Sequence, residues 1–350
     1  MYEQLLERNI LPDWIIRKGI RHLLRVRLHE ESDGGPEAQQ VRRLRLIEAM
    51  RNSPIAVATD SANAQHYEVP ARFFELCLGM HLKYSCALWN EGTRSLDDAE
   101  EAMLDLTCRR AGIEDGQSIL DLGCGWGSLS LYMAQRFPNA DITAVSNSQT
   151  QREFIEMRAR AAGLLRLRVF TADANDLQMD RRFDRIVSVE MFEHMRNVEA
   201  LMARIASWME PESRFFMHIF CHNRLPYFFE VRDETDWMAQ HFFTGGMMPS
   251  ANLPLSFQKD LECIQRWDVN GVHYQKTAEA WLQKMDGNQP TILDVFRTTW
   301  GEEKARKMFA FWRVFFMTSA ELWGYRNGEE WLVCHYLFMK TTCRASMPRL

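Results

Sequence analysis

The sequence predicts an α/β fold built on a mostly parallel sheet with helices packed on both faces. Two observations carry this expectation. From about residue 112 short apolar runs alternate with helix-forming stretches, the pattern of strands joined by crossover helices. The first such strand runs straight into Asp121-Leu122-Gly123-Cys124-Gly125-Trp126-Gly127, a glycine turn that lets the backbone approach a ligand before a helix begins. A chain of 350 residues also exceeds the usual single core, so one large domain with appendages, or two domains, is expected.

Residues 1–60 read as a helical extension. Ile16, Ile20, Leu23, Leu24 and Leu28 recur at helical spacing, interleaved with Arg17, Lys18, Arg21, Arg25 and Arg27. Such a helix could lie on a membrane surface. The acidic run Glu30-Glu31-Ser32-Asp33 follows at once and opposes anionic lipid, so packing on the main body is favoured. Residues 61–112 read as a helical cap over the ligand site, and 113–350 as the main domain. Its strand candidates are Ser118–Leu122, Asp141–Val145, Leu167–Phe170, Phe183–Val189, Arg214–Phe220 and, near the end, Trp331–Met339. Helices are expected over Leu129–Arg136 and Gln149–Ala162. The stretch from about 222 to 330 is long and aromatic, with Tyr227, Phe228, Phe229, Trp237, Phe242, Phe243, Trp281, Trp312 and Trp323 among others. It reads as a lid insertion that encloses an apolar or aromatic substrate.

Composition narrows the function. The chain is 46% hydrophobic and 25% charged with a net charge of −5, a globular make-up ill suited to nucleic acid. The eight cysteines form no C-x-x-C pair, and neither a signal peptide nor a membrane-length apolar run is visible, so a reduced cytoplasmic protein is expected. His218 and His222 could face one side of a strand, but without an acidic or cysteine third ligand no metal is expected.

The glycine spacing is G-x-G-x-G rather than the G-x-G-x-x-G of dinucleotide sites. Asp121 at the strand end is placed to accept from the ammonium of a methionine moiety. After the second strand the usual ribose-binding acid is replaced by Ser146-Asn147-Ser148-Gln149, which leaves Asn147 and Gln149 for that contact. Asp173 follows the third strand, where a carboxylate can accept from an adenine amino group. These features together suit S-adenosyl-L-methionine (SAM). Beyond the fourth strand, at the carboxyl edge where open α/β sheets bind ligands, stand Glu190, Glu193 and His194. A carboxylate beside an imidazole can fix its tautomer and stabilise its charged form.

The region from His66 onward resembles the family of cyclopropane-fatty-acid synthases and plant coclaurine N-methyltransferases. His66-Tyr67 and Lys83-Tyr84-Ser85-Cys86-Ala87-Leu88-Trp89 match its segment before the SAM domain, and Leu120–Gly127 and the Ser-Asn-Ser-Gln turn match both branches. Several stretches resemble the N-methyltransferase branch in particular: Glu190–Met195, Phe242–Gly246, Pro249–Asn252, Val269-Asn270-Gly271-x-His273-Tyr274 and Asn327–Trp331.

The resemblance implies a Rossmann-like class I SAM methyltransferase with a seven-stranded, mostly parallel sheet. It assigns Tyr84, Ser85, Asp121, Gly123, Gly125, Gly127, Asn147, Gln149 and Asp173 to the cofactor. It makes Glu193 and His194 the base, with Glu190 orienting a cationic amine. Cys86, His218, Phe242, Glu321, Trp323 and Tyr325 fall to the substrate. The alternative for Glu321 is an ion pair with Arg313 or Arg326. In the cyclopropane branch a bicarbonate base is held by a cysteine, a glutamate, a histidine and a tyrosine. This chain keeps Cys86, Glu193 and His218 but reads Trp312–Phe316 with phenylalanines where the tyrosine belongs. The expected activity is methyl transfer to the nitrogen of a small cyclic or aromatic amine, with a homodimer left open. The rival readings are cyclopropanation or C-methylation of an unsaturated acyl chain, and a SAM-binding sensor or scaffold without catalysis.

Overall fold

The computed structural model describes residues 11–57, 69–231 and 236–341, so His66, Tyr67 and Cys343 lie outside the described residues. Among the described residues four helices precede the sheet: α1 (Asp13–Ser32), α2 (Gly35–Arg51), α3 (Ala71–Cys77) and α4 (Leu96–Ala111). The start of α4 is fixed by a reciprocal cap, in which the Ser95 hydroxyl accepts from Asp98 N and the Asp98 carboxylate accepts from Ser95 N. Each contact satisfies an amide that the first helical turn leaves free.

The main domain follows as β1 (Ser118–Leu122), α5 (Ser128–Arg136), β2 (Asp141–Ser146), α6 (Gln149–Ala161), β3 (Leu167–Thr171), β4 (Phe183–Val189), α7 (Val198–Ser207) and β5 (Met209–His222). Then come β6 (Tyr227–Phe228), α8 (Trp237–His241), β7 (Met247–Met248), β8 (Leu261–Val269), α9 (Val272–Gly287), α10 (Gln289–Trp300), α11 (Glu302–Trp323) and β9 (Trp331–Lys340). Seven strands form one sheet in the order β3-β2-β1-β4-β5-β9-β8. The first five are mutually parallel, while β9 runs antiparallel to both of its neighbours. The central strands are apolar along their length because both faces are covered, whereas the edge strand β3 alternates buried and exposed residues.

The first four parallel strands stand where the sequence places them, within a residue, while β5 begins five residues earlier than expected, at Met209 rather than Arg214. The lid does not survive as one piece. Strand β8 lies inside the stretch expected as an insertion and closes the edge of the main sheet. Its Glu262, Arg266 and Asp268 interrupt any apolar run, because the outer face of an edge strand meets solvent. The remainder is a two-stranded ribbon of β6 and β7 with α8, then the three helices α9–α11. Most of its aromatic residues are core: Trp281, Trp312 and Phe316 are almost wholly buried and pack with Phe73 and Phe74 of α3.

Helix α1 packs on α11 through its basic residues. Arg17 pairs with Glu279 (2.5 Å) and Glu321 (3.0 Å), Arg21 pairs with Glu321, and Arg27 pairs with Asp236 at 2.7 Å. Packing on the main body, rather than on lipid, accounts for these arginines. No helix among the described residues is long and apolar enough to cross a membrane.

Gly127 precedes α5 with φ +79, and a Cβ there would come within 2.6 Å of Ile155 on α6. Gly127→Ala is therefore expected to lower folding stability by about 1–3 kcal/mol through left-handed strain and overpacking. A urea midpoint that falls at unchanged slope reads this directly, and an unshifted midpoint counts against it.

Candidate active site

The strand order reverses between β1 and β4, which leaves a crevice at their carboxyl ends. A cavity of about 210 Å³ occupies it. Tyr84, Ser85, Asp121, Gly123, Gly125, Asn147 and Asp173 all line this cavity. Gly123 and Gly125 take φ of +84 and +53, and an added Cβ at Gly125 would meet nothing within 4 Å. The turn thus presents open backbone to a ligand, while Gly123 N and Cys124 N hold it to Val145 O of β2. Ser128 opens α5, and its buried hydroxyl lines the cavity without a partner among the described residues. A helix N-terminus with a spare hydroxyl suits the carboxylate of an amino-acid ligand. Asp121 and Asp173 supply acceptors for its ammonium and for an adenine amino group, so the residues present fit SAM.

Two of the assigned cofactor residues stand elsewhere. Gly127 is off the cavity wall and serves the close contact between α5 and α6. Gln149 is exposed at the first turn of α6, where its amide donates to Glu153 (2.8 Å). Gln151 takes the inner position instead. Its Oε1 accepts from the Ser146 hydroxyl (2.7 Å), and Ser148 Oγ accepts from its N–H. This local wiring leaves Asn147 on the wall, next to the cavity.

Burial pushes the Asp121 carboxyl up to about 6, against the opposing effect of the Ser130 hydroxyl, which donates to it at 2.5 Å. The group is therefore ionised only above mildly acidic pH when no cation is beside it.

The other half of the cavity centres on Glu190, directly after β4, at φ +48. A non-glycine residue there stores strain that the surroundings must compensate. They do so with three hydrogen-bonding contacts: Glu190 Oε1 accepts from Cys86 N (2.9 Å) and faces His218 Nε2 (3.1 Å), while Oε2 accepts from the Tyr274 hydroxyl (2.6 Å). Burial raises the Glu190 pKa, and the charge of the buried Lys83 and these donors oppose that rise. Lys83 also lines the cavity, donates to Ser85 Oγ (2.5 Å) and is itself pushed down by burial.

Glu193 and His194 lie in a single 3-10 turn, Phe192–His194. His194 lines the cavity with its ring stacked on Phe243, 5.3 Å between centroids. Glu193 is fully buried behind the wall. Its Oε1 accepts from Phe220 N at 2.6 Å, and its Oε2 has no partner among the described residues. Desolvation and the nearby Glu190 raise its pKa well above the usual carboxylate range.

Among the residues assigned to substrate, Cys86 and His218 sit behind Glu190 rather than on the wall. Phe242 is core, stacked on Phe315 at 4.4 Å, and its neighbour Phe243 takes the wall. Trp323 stacks on Tyr274 at 4.7 Å, and Tyr325 packs on Trp331, both away from the cavity. Glu321 is turned toward α1 and held by Arg17 and Arg21, partners other than the Arg313 and Arg326 weighed from the sequence. Tyr274, Lys83, Phe243 and Trp281 were not assigned, although all four line the cavity. Tyr274 stands inside the Asn-Gly-x-His-Tyr stretch that carries the resemblance, which is the signal that could have found it.

The family model for mycolic acid cyclopropane synthetase matches residues 57–326. The chain is 40% identical over 339 residues to the (S)-coclaurine N-methyltransferase of Thalictrum flavum subsp. glaucum, covering 96% of this chain and 94% of that one. It is 37% identical over 338 residues to the (S)-coclaurine N-methyltransferase of Papaver somniferum, covering 96% of each. A crystal structure of coclaurine N-methyltransferase bound to N-methylheliamine and SAH superposes with a TM-score of 0.94 at 38% identity, covering 97% of this chain and 99% of that one.

SAM affinity is expected to depend on the ionisation of Asp121. Since its pKa is raised to about 6, the carboxylate is present above that pH and lost below it. Calorimetric binding should weaken about tenfold from pH 7 to pH 5. Asp121→Asn should bind more weakly at pH 7 and lose that dependence. Parallel pH profiles for the two proteins would remove Asp121 from the ammonium contact.

Proposed function

The chain belongs to the mycolic acid cyclopropane synthetase family and is a SAM-dependent methyltransferase, and we propose that it methylates the nitrogen of a small cyclic amine bearing an aromatic ring. The observation that carries this reading is Glu190, whose carboxylate side chain is only 8% exposed, on a cavity wall shared with the aromatic residues Tyr274, Trp281 and Phe243. A carboxylate set among aromatic faces attracts a cationic nitrogen through charge and ring quadrupole together. An acyl chain would gain nothing from it.

When bound, SAM supplies a sulfonium methyl group that is open to in-line attack. The chain's own work is to align the amine and to remove its proton. Glu190 anchors the nitrogen, and the aromatic wall orients its ring and excludes water. An amine that arrives protonated must first become a nucleophile. His194 on the wall is the group positioned to take the proton, and Glu193 behind it stabilises the resulting charge. Burial holds the Glu193 carboxyl toward its neutral form, and a positive charge on His194 would draw it back to the carboxylate, whose second oxygen is free to receive it. The seven cysteines among the described residues are all free, which supports a reducing, cytoplasmic setting.

Glu193→Ala and His194→Ala are each expected to lower kcat by at least about tenfold at neutral pH, with SAM binding retained. Full activity in both would remove the dyad. Labelled SAM offered to cyclic amines and to unsaturated phospholipids should label the amines, whereas label in the phospholipid alone overturns the acceptor class.

A further inference from the structure

Behind Glu190 the sheet carries a second histidine that the reaction does not require. His218 of β5 and His335 of β9 stand opposite each other in the antiparallel register, so both rings project from one face. Both are fully buried, with ring centroids 4.5 Å apart and planes tilted by 35°. His335 Nδ1 lies 2.7 Å from Arg110 Nη1 on α4, and the guanidinium continues over the Trp267 ring at 4.8 Å toward the surface. Two ring atoms are buried without a hydrogen-bond partner among the described residues: His218 Nδ1 and His335 Nε2.

The protonation of each atom follows from the end of the line. Arginine only donates, so His335 Nδ1 must carry the bare lone pair. Burial holds His335 neutral, so its one proton sits on Nε2. That N–H has no acceptor among the described residues, and the His218 ring lies beside it, 4.5 Å between centroids. Burial likewise holds His218 neutral, and a carboxylate oxygen accepts, so its one proton sits on Nε2, the atom that faces Glu190 Oε1. The two rings thus meet without a hydrogen bond between them, and the charge of Arg110 reaches His218 across that contact.

We propose that Arg110, His335 and His218 form a polarised row of positioning side chains that holds Glu190 as an ionised hydrogen-bond acceptor at the cavity wall. The row is an electrostatic support rather than a proton exit, because an arginine at its far end cannot accept a proton. It acts alongside Lys83, whose charge reaches Glu190 from the segment between α3 and α4, and Tyr274, which donates from α9. His194 and Glu193 also face Glu190, the first adding to its ionisation and the second sharing its buried surroundings. The proposal rests on the reading of Glu190 as the anchor for a cationic amine.

Two measurements test it. Nitrogen NMR of the full protein with 15N-labelled histidine, each ring assigned by its own His→Gln variant, should show both His218 and His335 as neutral Nε2–H tautomers. An Nδ1–H tautomer or an imidazolium at either ring overturns the row. In the second, the pH profile of amine kcat/KM is recorded for Arg110→Met and Arg110→Lys. Loss of the guanidinium should move the acidic limb up by about half a unit or more, and Arg110→Lys should bring it back. A wild-type profile for Arg110→Met, with SAM binding intact, overturns the row. Should that variant not fold, the tautomers decide alone. Correct tautomers in a protein that methylates no amine would leave the row standing and fault the reading of the acceptor instead.

Discussion

A carboxylate withdrawn from water at the end of β4 is the constraint around which this molecule is arranged. Leaving a charge in a dry interior costs several kcal/mol unless hydrogen bonds replace the lost hydration. For Glu190 the three contacts come from three separate parts of the chain. Cys86 N belongs to the segment between α3 and α4, His218 to β5 and Tyr274 to α9. One residue thus ties the segment after α3, the sheet and α9 to the same point. The left-handed backbone at Glu190 is consistent with that role, since strain of this kind persists only where surrounding structure over-determines it. A carboxylate held in such a place needs no rearrangement to meet a positive charge, which is what electrostatic preorganisation means in physical terms.

The cofactor half of the site was legible in the sequence because its chemistry is local. Gly123, Gly125 and Asp121 are neighbours in the chain, and their spacing alone requires a turn at a strand end. The Ser146–Gln149 turn was legible in part. It pointed to Asn147, which lines the cavity, but two residues of helix geometry separate Gln149, turned to solvent, from Gln151, turned inward. That difference lies in the phase of α6, and no residue type announces it. The acceptor half depends on contacts between distant segments. Tyr274 reaches Glu190 across 84 positions and Cys86 across 104, so spacing carried no trace of either.

Aromatic content misled for a related reason. A long stretch rich in tryptophan and phenylalanine reads equally as a substrate lid or as a core, and the helices α9–α11 use most of it as core. Glu321 shows the same ambiguity for charge. On an apolar helix a lone acid suggests a cationic substrate, yet its partners are two arginines of α1, roughly 300 residues earlier in the chain. The basic face of α1 and the acid of α11 explain each other, and neither could be read without its partner. The edge strand β8 was hidden because alternation with charged residues resembles a surface loop when no neighbouring strand is known.

The position of β9 has a bearing on how the enzyme is made. It is the last strand of the described residues, yet it inserts between β5 and β8 instead of adding to an edge. During synthesis the glycine turn, Glu190 and Tyr274 all leave the ribosome before it does. Until β9 arrives, one edge of β5 has no partner, and His218 faces an empty register where His335 will stand. Pairings of such long range form late and slowly, and an unpaired apolar strand is the part of a nascent chain most prone to aggregation. The same strand completes the sheet and the back of the active site, so a nascent chain halted before β9 would have the cofactor turn but not a finished site.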